Sequence, residues 1–280
     1  MSIPTHKEFL QTIKSDLEND RLILPSFPEV ATKAREAAND ENSTAQDLAA
    51  IINTDAALSA RLLKVANSPL FRARSEIDNI QIAITRMGNK VVKNLIMSIS
   101  VEQMFSTQSK KLSEHFKNTW QHSIHVAAFS RVLAANSNGL DPEQAMLAGL
   151  FHNIGSLPIL MAAENCPLLL ADSNALEKMI EQLQPEVGKL IVEHWNFPDS
   201  LTEVVWEHNN LLRDPYPEAD YSDVVLVANL QIPSGNNSHT VNWADIPAFK
   251  KLGLNHEIEV IEIEGVAEQI DEIEEIFITA

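Results

Sequence analysis

Residues 55–68 read DAALSARLLKVANS, and the order of residue types in this run specifies a helix with both of its ends. Leu58, Leu62, Val65 and Ala66 recur at spacings of three and four, which gathers them on one face of a 3.6-residue turn. Asp55 precedes the first turn and can accept from its free backbone N–H groups. Asn67-Ser68-Pro69 ends the run, because proline lacks an N–H and pushes the residue before it out of helical geometry.

The same pattern extends in both directions. Upstream, Phe9, Ile13 and Leu17 share a face, the prolines of Leu24-Pro25-Ser26-Phe27-Pro28 force an extended stretch, and Thr44 with Asp47 can cap another helix. Downstream, Ile77, Ile80, Ile84 and Met87 form a stripe that stops at Gly88, and Val91, Leu95, Ile96 and Ile99 continue toward Phe105. Phe116, Trp120, Ile124, Ala127, Val132 and Ala135 mark a long helix, and Asp141-Pro142 supplies the next start. Separate helices are expected over Leu176–Gln182, Pro185–Trp195 and Ser200–Asn209, the last opened by a Ser200/Glu203 capping box. With only 8 glycines and 6% aromatics, the composition agrees with an all-α fold.

Four segments follow. Residues 1–106 form an N-terminal helical bundle, the polar run at 107–113 a linker or seam, 114–254 a second helical domain, and 255–280 an acidic segment. That last segment holds nine acidic residues and no Lys or Arg, yet Val266, Ile270, Ile273 and Phe277 keep helical spacing, so an amphipathic helix is expected. Pro233–Thr240 reads as a loop.

Lys+Arg 21 against Asp+Glu 39 gives a net charge of −18, a field that repels nucleic-acid backbones and anionic membrane surfaces. A single cysteine, Cys166, permits no internal disulfide and reads as an inert thiol. The start Met1-Ser2-Ile3-Pro4 lacks the basic and apolar regions of a signal peptide, and the uncharged stretches at 144–163 and 224–244 are broken by polar residues, so the expected location is cytoplasmic and off the membrane. Against the overall charge, residues 61–93 carry seven basic and two acidic side chains; Arg72, Arg74, Arg86, Lys90 and Lys93 are candidates for a partner or ligand surface, with a solvated helix face as the plainer reading.

Among nine histidines, three sit where a metal site would want them: His122 on a helix, and His152 and His208 each ending one. A divalent-metal hydrolase also needs carboxylates to balance the cation and hold an activated water. Here His152 is followed by Asn153, which offers a neutral carbonyl oxygen. A histidine on an apolar helix is more often a core residue with one hydrogen bond, and His125, three residues after His122, reads as packing or surface.

Residues 55–68, residues 80–88 (IQIAITRMG) and residues 149–155 (GLFHNIG) resemble the HDOD domain, over a span from about Leu24 to about Asn229. The resemblance implies an N-terminal helical bundle packed on an HD-like helical domain related to the HD-superfamily metal-dependent phosphohydrolases. In that superfamily a first His, a His-Asp pair, further His residues and a final Asp bind the metal. Carried over by motif, these positions fall on His122, on His152 and Asn153, on Gln184 ahead of Val187-Gly188, on His208 and Asn209 after the Trp195–Pro198 segment, and on Asn229. Two acids have become amides and two imidazoles are lost.

The resemblance therefore implies a regulatory signalling protein with a degenerate metal pocket, no bound metal or cofactor and no catalytic residue, acting through protein partners, with a homodimer allowed. Two rivals stand beside it. One is a metal-dependent phosphohydrolase with the reduced set His122, His152 and His208; the other is a sensor whose altered pocket binds a small nucleotide or anion.

Overall fold

A computed structural model describes residues 3–19, 28–40, 42–71, 76–232, 242–254 and 266–278, and all regular structure among them is helical. The first helices are α1 (His6–Glu18), α2 (Glu29–Asn39), α3 (Ala45–Ile52), α4 (Ala56–Ala66), α5 (Ile80–Met87) and α6 (Asn89–Val101). The second group comprises α7 (Ser113–Ala135), α8 (Pro142–Phe151), α9 (Ser156–Ala163), α10 (Pro167–Ala171), α11 (Ser173–His194), α12 (Asp199–Glu207), α13 (Tyr221–Leu230) and α14 (Pro247–Lys251), with α15 (Val266–Ile278) last. Arg72, Arg74, the stretches 24–27 and 233–240, and the side chains of Leu17 and Val266 lie outside the described residues.

Local chemistry accounts for most boundaries. Asp55 Oδ1 accepts from the N–H groups of Ala57 and Leu58, both at 3.0 Å, and Thr44 with Asp47 makes a reciprocal capping box on α3. Asp141 Oδ1 caps α8 by accepting from Glu143 and Gln144 at 2.9 and 3.1 Å, with Pro142 in the first turn where no N–H is needed.

Two expectations fail here. The helices expected at Leu176–Gln182 and Pro185–Trp195 are one helix, α11, with Pro185 inside it. The proline removes one backbone bond, but buried residues from Leu176 to Val192 on both sides of it hold the helix continuous. The Ser200 capping box is also absent: α12 begins at Asp199, and Ser200 Oγ instead accepts from Gln144 Nε2 at 3.1 Å.

One apolar core runs from Phe9 to Phe277. The first group docks through α6 onto α8, and α8 lies close along α7; a Cβ at Gly149 would stand 2.6 Å from Ala127 Cα, so only glycine admits that approach. Chain order and spatial order part at α1, which packs on α9 and α11 and pairs Lys14 with Glu186 at 2.6 Å. The apolar stretch Pro142–Ala163, mean hydropathy 1.5, has the length and composition to cross a bilayer but is 89% buried among other helices. Helix α15 lies on α7, burying Ile270, Ile273 and Phe277, with the Phe277 ring edge-on to Trp120 at 6.0 Å. Each such side chain contributes roughly 1.5–3 kcal/mol of burial, which holds an acidic helix on an acidic protein.

Candidate functional site

His122 projects from the middle of α7, His152 follows the last turn of α8, and His208 follows the last turn of α12. The fold stacks the three rings in a row, with centroids 5.4 Å apart for His122 and His152 and 5.1 Å apart for His152 and His208. Gln184 on α11 reaches the row because two glycines let the backbones close. A Cβ at Gly155 would fall 2.1 Å from the Gln184 carbonyl oxygen, and one at Gly188 would fall 2.5 Å from Val205 Cγ1. A side chain at Gly155 would push α11 away from the His152 turn, and one at Gly188 would press on Val205 of α12.

The hydrogen bonds fix the tautomers, since a carbonyl oxygen can only accept. His122 Nε2–H donates to Asn229 Oδ1 at 2.9 Å. His152 Nδ1–H donates to the Gly149 carbonyl at 2.6 Å, and His208 Nδ1–H is shared between the Val204 and Val205 carbonyls, both at 3.1 Å. His208 Nε2 then accepts from Gln184 Nε2 at 2.9 Å, an amide that also reaches the His152 carbonyl at 3.3 Å. His152 Nε2 is buried and has no hydrogen-bond partner among the described residues.

All three rings are held neutral. Burial, reinforced by His208 and His122, drives the His152 imidazole well below its ordinary range, and burial pushes His208 down to about 4. Burial also lowers His122, against the opposing effect of its bond to Asn229.

These residues do not fit a catalytic divalent metal. Among the described residues no three His, Cys, Asp or Glu side chains are grouped to hold one. The nitrogen that His208 would offer is engaged by an amide N–H, and His122 spends its Nε2 proton on Asn229, a neutral oxygen. Among the described residues no carboxylate joins the row to balance a cation or to orient a water.

Of the other residues singled out, Asn153 is half-buried, and its backbone carbonyl accepts from Ser156 N and Oγ at 3.0 and 2.6 Å to open α9. No side-chain hydrogen bond ties Asn153 to the imidazoles among the described residues. Asn209 is exposed in the turn after α12, so the structure leaves it on the surface beside buried His208 instead of in the row. His125 is held by Glu274 of α15 at 2.5 Å, and that carboxylate raises its pKa. In the basic stretch, Arg61 pairs with Glu102, Lys90 pairs with Asp141 at 2.8 Å, Lys93 donates to Asn39 at 3.0 Å, and exposed Arg86 also has a partner.

Arg213 passed unnoticed in the sequence. Its side chain is 1% exposed and bonds Asp220, Asp223 and Glu203 at 2.6–3.0 Å, pinning the loop between α12 and α13 behind His208. The capping box of Asp220 with Asp223 was the available signal for an acidic knot awaiting a cation.

A family model for the HDOD domain matches residues 24–211. Over 97% of its length the chain is similar, at 28% identity and a TM-score of 0.82, to the crystal structure of a protein from Shewanella amazonensis SB2B named as a proposed metal-dependent phosphohydrolase, of which 98% is covered. An HDOD domain protein of unknown function from Geobacter sulfurreducens shares the fold at 19% identity and a TM-score of 0.68, covering 98% of this chain and 100% of that one. An uncharacterized protein of Treponema pallidum (strain Nichols) is 24% identical over an alignment of 224 residues, gaps included, that covers 75% of this chain and 42% of that protein. The chain therefore spans less than half the length of that curated relative.

Proposed function

Because the chain belongs to the HDOD domain family, with residues 24–211 matching its model, we propose that it is a non-catalytic regulatory protein of bacterial signalling that acts by binding protein partners in the cytoplasm. The observation that carries this reading is the pairing of imidazoles with neutral amides. His122 bonds Asn229 and His208 bonds Gln184, with no carboxylate in the row among the described residues, so the place where a hydrolase would activate water is lined by uncharged groups. In this reading the row is a joint that locks α7, α8, α11, α12 and α13 together, and the protein offers partners a rigid surface.

The reading predicts no hydrolysis of p-nitrophenyl phosphate or of cyclic dinucleotides with Mg²⁺, Mn²⁺, Fe²⁺ or Ni²⁺. Turnover that disappears in the His122→Ala, His152→Ala double variant would refute it and install the reduced-ligand phosphohydrolase in its place.

A further inference from the structure

A cavity of about 240 Å³ lies where the first helical group meets the second, between α2, α6, α8, the Trp195–Pro198 turn and α13. It shares no residue with the imidazole row. Arg35, Glu36, Lys93, Asn94, Phe197 and Tyr221 are among the side chains that line it.

Its walls are rich in donors. Arg35 lies 4.9 Å over the Phe197 ring and uses Nη1 to bond the Trp195 carbonyl at 3.0 Å, which fixes the guanidinium and leaves other N–H groups to give. Lys93 donates to Asn39 Oδ1 at 3.0 Å. Neither cation has a carboxylate within ion-pair distance among the described residues: Glu36 lines the cavity but is exposed, and Asp141 is taken by Lys90 at 2.8 Å and acts on Lys93 only through space. Tyr221 accepts at its oxygen from the Asp141 N–H at 3.1 Å, so its own proton is free to donate. Asn94 is 4% exposed, and its Nδ2 has no hydrogen-bond partner among the described residues. That amide nitrogen is sealed from the cavity itself, so the donors open to a ligand are those of Arg35, Lys93 and the Tyr221 hydroxyl.

The geometry points to this cavity as the binding site for a small organic anion carrying one phosphate or carboxylate, held by Arg35 and Lys93 and contacted by Tyr221. The volume lies just below the roughly 300–1,000 Å³ of pockets that enclose drug-sized ligands, which sets the size at one ring or one short chain. A ligand there would touch both helical groups at once and so couple them, a means of input for a protein that signals through partners. The site stands apart from the imidazole row, so its failure leaves the non-catalytic reading intact.

The test is a titration of the full chain with inorganic phosphate, ribose 5-phosphate and benzoate at constant ionic strength, read by calorimetry and by melting temperature. Saturable binding of at least one probe is expected, weakened at least about tenfold in both Lys93→Met and Arg35→Met and unchanged in the exposed control Lys111→Met. Benzoate against the two phosphates separates a carboxylate ligand from a phosphate one. The absence of saturable binding by all three probes, or binding equal in the wild type and in folded Lys93→Met and Arg35→Met, overturns the proposal.

Discussion

Lowering the pH from 7 to 5 should destabilise the protein through its buried imidazoles, and His208 gives the size of the effect. The ring is 1% exposed, donates through Nδ1 to two carbonyls and accepts at Nε2 from Gln184, so a proton at Nε2 would meet an N–H in a buried site. Its folded pKa is about 4, against 6.5 when unfolded. A depressed histidine binds fewer protons folded than unfolded, so the stability it allows is complete above about pH 6.5 and is lost as the pH falls toward 4. At about 1.36 kcal/mol per unit the full span is roughly 3 kcal/mol, and the part lost between pH 7 and pH 5 is about 2 kcal/mol. His152, fully buried and shifted in the same direction, adds to the loss. Urea unfolding of the wild type and of His208→Gln at the two pH values isolates the contribution, because glutamine retains hydrogen bonding without titrating. The wild type should lose about 2 kcal/mol more than the variant; equal losses in the two proteins would refute the account of a neutral, sealed row.

Three other perturbations probe separate parts of the structure. His125 behaves in the opposite sense: Glu274 raises its pKa, so its contribution to holding α15 is present at low pH and fades as the pH rises through the folded value. Hydrogen exchange in residues 266–278 should accelerate from pH 6 to pH 8, after correction for intrinsic rates, and His125→Ala should abolish the difference. Gly155→Ala places a Cβ 2.1 Å from the Gln184 carbonyl oxygen and should cost about 1–3 kcal/mol or more, seen as a melting temperature lower by several degrees. Arg213→Met strands Asp223, which is 0% exposed and keeps only Lys251 at 3.4 Å as a cationic partner; a loss of about 3–5 kcal/mol in urea unfolding is expected.

What could be read from the sequence was what depends on neighbours along the chain. Asp55, Thr44 and Asp141 cap their helices because capping is decided within three residues, and the stripes at Ile80–Met87 and in α15 are buried because spacing alone sets a helix face. Pro185 misled because a local rule was overridden by burial on both sides of it. Long-range partnerships were hidden. The motif match indicated which residues corresponded to a metal set, but that Gln184 donates to His208, that His122 donates to Asn229, and that Asn209 faces solvent follow from how α11, α12 and α13 meet. Arg35 and Asn94 carried no signal at all, since their cavity exists only where two helical groups separated in sequence come together.

The central claim is that amides have replaced anions around the imidazole row, so that no divalent ion is held there. Elemental analysis of protein grown and purified with Mn²⁺, Fe²⁺, Ni²⁺ and Zn²⁺ present, then dialysed without chelator, measures this directly. The account predicts well under one metal ion per ten chains, with no difference between the wild type and the His122→Ala, His152→Ala variant; one ion per wild-type chain, absent from that variant, would contradict it.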